Sequence, residues 1–228
     1  MSDESPADRF KTALAVASRA IAQDNEIEVN WTADTASSSG SLFRIPMPGR
    51  QVPRDAAMKA RGEADRLSLR LRYHNAKSHM REAPSEPIAR ACYDAVEAVR
   101  YEAIGSNAYE GMRANLDSAL EARIATDPIA RAEAPDEVPI ASALSLLLRE
   151  RLTGQDIPEV ARPGVDMVRT WIESRAAADF EALANSVEDQ RAFQSLSLDM
   201  LQHLELTRME PTDMPPEDND DLDGDEET

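Results

Sequence analysis

Apolar residues recur three and four positions apart along most of this chain, the spacing that gathers side chains on one side of an α-helix. A first helix opens after Ser5-Pro6, where proline suits the first turn, and carries Phe10, Leu14, Ala17 and Ile21 until Asp24-Asn25 stops it. Further helices are predicted at about 54–73, 86–104, 107–126, 137–152, 163–184 and 187–207. Their stripes are Ala64, Leu67 and Leu71; Ile88, Ala91, Ala95, Val99 and Ala103; Met112, Leu116, Leu120 and Ile124; Leu144, Leu147 and Leu148; Val165, Val168 and Ile172; and Phe193, Leu196, Met200 and Leu204. Asn185 can end one helix while Ser186 and Asp189 form a capping pair, which folds the last two helices into a hairpin; one continuous helix is the alternative.

The period shortens to two in EIEVNW (26–31), where Ile27, Val29 and Trp31 share a face, and less cleanly in SLFRIPM (41–47). SSSG (37–40) lies between, and Pro46, Pro48 and Pro53 close the second run, so the pattern predicts one small β-hairpin near 26–47 with a flexible tip. The fold class is mainly α: a multi-helix domain over residues 6–207 followed by a disordered acidic tail at 208–228.

Composition sharpens this picture. Aromatic residues make up only 4% of the chain, so the core must come from aliphatic side chains on helix faces. The single Cys92 has no internal partner for a disulfide and reads as a small core residue in the third helix. With no signal-like N-terminal run and no stretch near the ~18 apolar residues of a membrane span, the expectation is a soluble cytoplasmic protein. Of the formal charge of −18, the last twenty residues carry ten acids and no base, leaving about −8 on the rest. Neither part offers the basic stripe that nucleic acid or an anionic membrane demands.

Chemistry is sparse. No GxxxxGK[ST] run is present to wrap triphosphate oxygens, so the chain is not expected to hydrolyse ATP. His74 and His79, in HNAKSH, form the most metal-like pair, but five positions along one helix turn the rings apart, and the segment reads as a helix-to-loop junction where histidine caps carbonyls. A structural role is preferred, with no stoichiometric metal. His203, near the last stripe, reads as a packed or half-buried side chain, and Trp171 and Phe193 as core or interface anchors. On the third helix, Arg90 with Asp94 and Glu97 with Tyr101 have the spacing of helical neighbours, a pattern that suits a solvated face. Arg66, Arg70 and Arg72 on the preceding helix could instead meet Asp94, Glu97 and Glu102 across the packing interface, beside Arg100. Gly105 and Gly111 serve the turn and close helix approach.

Three blocks, RGEADRLSLRLRYH (61–74), YDAVEAVRYEAIGSNAYEGMRANL (93–116) and RERLTG (149–154), followed by Trp171 and EDQRAF (188–193), stand in one order and spacing. Together they resemble the N-terminal region of the CobT subunit of the ATP-dependent cobaltochelatase. The resemblance implies a non-catalytic subunit in cobalamin biosynthesis that works with an AAA+ ATPase subunit and a large catalytic subunit. That complex uses ATP, Mg²⁺ and Co²⁺ and inserts cobalt into hydrogenobyrinic acid a,c-diamide; no cofactor is expected on this chain. Family members continue through an acidic linker into a von Willebrand type A domain, whose DxSxS run is missing here, so a fragment or a shortened relative is expected. The alternative is an acidic helical adaptor that has lost the chelatase role. Arg70, Arg72, Glu97 and Arg100 are expected to face outward and to matter for assembly with the ATPase subunit.

Overall fold

A computed structural model describes residues 5–207; the tail expected at 208–228 lies outside the described residues. Ser5 starts α1 (Pro6–Ala22), its hydroxyl accepting the Asp8 backbone N–H at 3.2 Å, while Pro6 fills a first-turn position that needs no donor. Gln23 closes the helix in the left-handed conformation, φ 56°.

Three strands follow, β1 (Glu28–Thr32), β2 (Ser37–Ser39) and β3 (Leu42–Pro46), in the sheet order β1-β3-β2. The hairpin is present, but it joins β2 to β3 with Ser38 opposite Phe43, and it turns at Gly40, φ 56°. β1 lies parallel to β3 on the other side, Val29 beside Phe43 and Trp31 beside Ile45. Alternation marks strands with a buried face but says nothing of pairing direction, and three exposed serines give β2 no apolar signature. Ile27, Val29, Phe43 and Ile45 pack on Leu14 and Ala22 of α1 and on Ala60, Ala64 and Leu67 of the next helix, forming one apolar cluster.

That helix, α2 (Arg54–Tyr73), has the predicted bounds, and a short helix that the periodicity did not reveal, α3 (Ala76–Glu82), comes directly after it. His74 ends α2 with its N–H on the Arg70 carbonyl, and the Asn75 side chain then accepts the Ser78 N–H at 3.1 Å to begin α3. α4 (Pro87–Ala108), α5 (Glu110–Ile124), α6 (Ile140–Thr153), α7 (Arg162–Asn185) and α8 (Gln190–His203) complete the domain, with two 3₁₀ turns, Pro128–Arg131 and Pro135–Glu137, between α5 and α6. Asp189 caps α8 by accepting the N–H groups of Arg191 and Ala192, so the last two helices do fold back as a hairpin.

The larger apolar cluster joins α4, α6, α7 and α8 through Val96, Leu144, Leu148, Val165, Ile172, Phe193 and Met200. α4 is the central strut, touching α2, α5, α6 and α8. Its buried line runs through Ala89, Cys92, Tyr93 and Val96 to Val99 and Ala103: the predicted stripe holds at Val99 and Ala103 but is one position off in the first half of the helix, where Ile88 stands 59% exposed. Leu71 and Trp171 are also partly open, at 39% and 37%. A helix covered on several sides has no single apolar stripe, which is why a pattern search along α4 misplaced the inner face of its first turns.

Two glycines mark close helix contacts. A Cβ at Gly62 of α2 would stand 2.0 Å from the Asn115 carbonyl oxygen and 2.7 Å from the Ala119 Cβ, both on α5. One at Gly105 would meet Leu69 and Met112 side-chain atoms at 2.5 and 2.6 Å, in keeping with the close approach expected there. Gly111 has nothing within 4 Å of such a position.

Candidate functional site

The joint between α2 and α3 faces the middle of α4 and the start of α8, and a cluster of polar side chains converges there. His74 Nδ1 donates to Glu97 Oε1 at 2.8 Å, and Gln190 Nε2 stands 3.4 Å from the same ring nitrogen. His79 Nε2 bonds Asp94 Oδ1 at 2.6 Å, and Arg90 Nε reaches the same carboxylate at 3.2 Å. The two imidazoles meet edge to face with centroids 4.9 Å apart, and the Tyr93 ring stacks on His79 at 4.4 Å. The five-residue spacing does not separate the rings, because the chain leaves one helix and enters another between them.

Arg100 anchors the cluster. Its Nε and Nη2 grip both oxygens of Glu97 at 2.9 Å, Nη1 donates to the Val187 carbonyl at 3.1 Å, and Nη2 also donates to the Tyr73 carbonyl. Its side chain is 1% exposed and that of Glu97 3%. One guanidinium thus ties together the end of α2, the body of α4 and the α7–α8 turn. Burial alone pushes the Glu97 carboxyl up, but the bonds from His74 and Arg100 and the Arg100 charge outweigh it and hold the group below its ordinary value. Desolvation pulls His79 down in spite of the Asp94 bond, so its imidazole is neutral at physiological pH. Burial also raises the Tyr93 and Tyr101 hydroxyls to about 12.

The four residues expected on an outward face divide. Arg70 is exposed, Arg72 is half-buried and donates to the Ile21 carbonyl of α1 at 3.0 Å, and Glu97 and Arg100 are interior. The solvated-face reading is therefore corrected for Glu97 and Arg100: coverage of α4 on several sides takes its middle turns out of water. Arg90 and Asp94 do pair at spacing four, whereas Glu97 turns to Arg100 at spacing three. Arg66 pairs with Glu63 on its own helix at 2.9 Å, and it is Arg123 of α5 that links Glu63 at 3.1 Å to Glu102 of α4 at 3.5 Å. His203 is 58% exposed at its side chain and bonds Asp179 at 2.9 Å, so it is no packed histidine. Gln190 and Gln194 of α8 were missed, because nothing in the α8 pattern points to a partner more than a hundred residues earlier.

His74, His79 and Glu97 each offer one potential metal-ligand atom, and these three atoms lie within 4.8 Å of one another. A separate cavity of about 280 Å³ between α4, α5 and α6 has apolar walls with Arg66, Glu102, Arg123 and Arg149 among its lining. Its arginines are already engaged, Arg149 by Asp117 and the others by the pairs above, so it presents no free cation to a ligand. Among the described residues, no helix is long and apolar enough to cross a membrane.

No solved structure matches this chain. The three blocks that suggested a family sit on α2, on α4 with α5, and at the end of α6, and EDQRAF enters α8; they include His74, Asp94, Glu97, Arg100 and Gln190 of the buried cluster, while His79 lies between them. The sequence model of a family described as Cobalamin biosynthesis protein CobT matches residues 4–228, and the chain belongs to that family.

Proposed function

We propose that this chain is a non-catalytic subunit of the ATP-dependent cobaltochelatase, acting with an AAA+ ATPase subunit and a large catalytic subunit that inserts Co²⁺ into hydrogenobyrinic acid a,c-diamide. The observation that carries the reading is the family match, which runs through every described element. The sequence has no phosphate loop, which is consistent with ATP and Mg²⁺ being handled by the partner. We place the complex in the cytoplasm.

Of the residues first considered for partner contact, Arg70 is the one exposed enough to meet a neighbour directly. Glu97 and Arg100 act on assembly only by holding the α2–α3 joint and the α7–α8 turn in place. A rim charge acts mainly on association rate and salt dependence. Reconstitution with the ATPase and large subunits, followed by a cobalt-insertion assay, tests the proposal. Expected are co-purification with the ATPase subunit and slower, more salt-sensitive assembly for Arg70→Glu. A chain that neither co-purifies nor changes cobalt insertion when omitted is an adaptor of another kind.

A further inference from the structure

We propose that His74, His79 and Glu97 form a binding site for one divalent transition metal ion of the borderline class, such as Zn²⁺ or Co²⁺. Two imidazoles and a carboxylate are a donor set these ions favour, with a fourth position open to water. The three ligand atoms already lie within 4.8 Å of one another, and the side chains are only 8%, 8% and 3% exposed. The inference rests on these side chains and does not depend on the chelatase reading.

A second observation falls on the same group of side chains. Among the described residues, six buried side-chain polar atoms have no hydrogen-bond partner, and three belong to this neighbourhood: His79 Nδ1, Tyr93 Oη and Gln194 Nε2. Tyr93 stacks on the His79 ring, and Gln194 accepts the hydroxyl of Ser78, the residue before His79. Buried groups of this kind are ordinarily satisfied by protein, water or an ion. Since Asp94 is a carboxylate, the His79 Nε2–H donates to it, which leaves Nδ1 as a lone pair with no donor. A carboxylate holding the far nitrogen of an imidazole is the arrangement that orients metal-binding histidines.

Arg100 must be weighed against this. Its charge opposes a cation, but it also donates to the Tyr73 and Val187 carbonyls, and a carboxylate has room for a metal beside two N–H donors. In the metal-bound form the ion replaces the His74 Nδ1–H bond to Glu97 Oε1, and the His74 proton moves to Nε2.

The full chain, stripped by a chelator, should be titrated with Co²⁺ while the visible d–d bands are followed. Expected are bands stronger than those of the aquo ion that saturate at one Co²⁺ per chain and vanish when Zn²⁺ is added. The chain has three histidines, so ¹⁵N spectra of the rings locate the site without any variant. The His79 Nδ1 and His74 resonances should move on Zn²⁺ addition while those of exposed His203 stay. His74→Gln and His79→Gln should each remove the bands, and His203→Ala should keep them. Absence of saturable bands in the wild type, ring shifts confined to His203, or bands that persist in both folded glutamine variants would overturn the site. Should the glutamine variants fail to fold, the wild-type ring spectra decide.

Discussion

Replacing Arg100 with methionine is the sharpest test of how this domain is held together. The side chain is 1% exposed, and its removal strands the carboxylate of Glu97, itself 3% exposed, in the interior. Breaking a buried ion pair from one side costs about 3–5 kcal/mol. The Tyr73 and Val187 carbonyls also lose a donor, a loss of about 1–3 kcal/mol each that overlaps with the first because the same guanidinium serves all three. Methionine refills much of the volume, so the expected total is ~5 kcal/mol, a large share of the ~5–15 kcal/mol that stabilises an ordinary domain. For a domain near 200 residues this lowers the melting temperature by about 10–20 °C. Urea unfolding followed by helical circular dichroism gives the number, with the denaturant slope unchanged. The double variant Glu97→Gln, Arg100→Met strands no charge and should recover at least about 1 kcal/mol. A loss below about 1 kcal/mol for Arg100→Met, or strict additivity in the double variant, would refute the clasp. Charge reversal at Arg100 is thus expected to unfold the domain, which an outward-facing Arg100 would not have done.

Burial raises the Asp65 carboxyl from 3.8 to about 6, opposed by the Asn115 bond and the Arg61 charge, so its contribution to stability is present below pH ~4 and lost as pH rises through about 6. Asp65→Asn should therefore gain up to about 3 kcal/mol over the wild type at pH 8 and show no such gain at pH 4 in urea titrations; equal effects at both pH values would contradict it. Asp189→Ala removes two N-cap bonds from α8 and should cost about 1 kcal/mol, with Asp189→Asn close to wild type by the same measurement. Phe193, fully buried under the Arg100 guanidinium with its ring centroid 5.9 Å away, should cost about 3–5 kcal/mol as alanine, and a cost under 1 kcal/mol would place it outside the core.

The helices were legible wherever one face meets the core. α2 matched its predicted bounds, and the α7–α8 hairpin was signalled by Asn185 and Asp189. α3 was not legible, because seven residues are too few to show a period, and its start rests on one side-chain bond from Asn75. The same short helix hid the site. A helical wheel drawn through 74–79 turns the two histidines apart, whereas the break at His74-Asn75 turns them together. Glu97 and Arg100 misled for a different reason: charge is read as exposure unless the partner elements are known, and those partners lie at Tyr73 and Val187, far away in sequence.

The notch at Gly62 has a consequence beyond packing. With the Asn115 carbonyl occupying the place where a Cβ would be, α2 and α5 rest backbone against backbone, so the gauge between them is set by main-chain atoms that cannot rotate away. Arg123 reaches from α5 to Glu63, the residue next to Gly62, and on to Glu102 of α4. The span of that three-helix charge bridge is therefore dictated by a missing side chain. A single methyl group at position 62 would lengthen it without altering any charge.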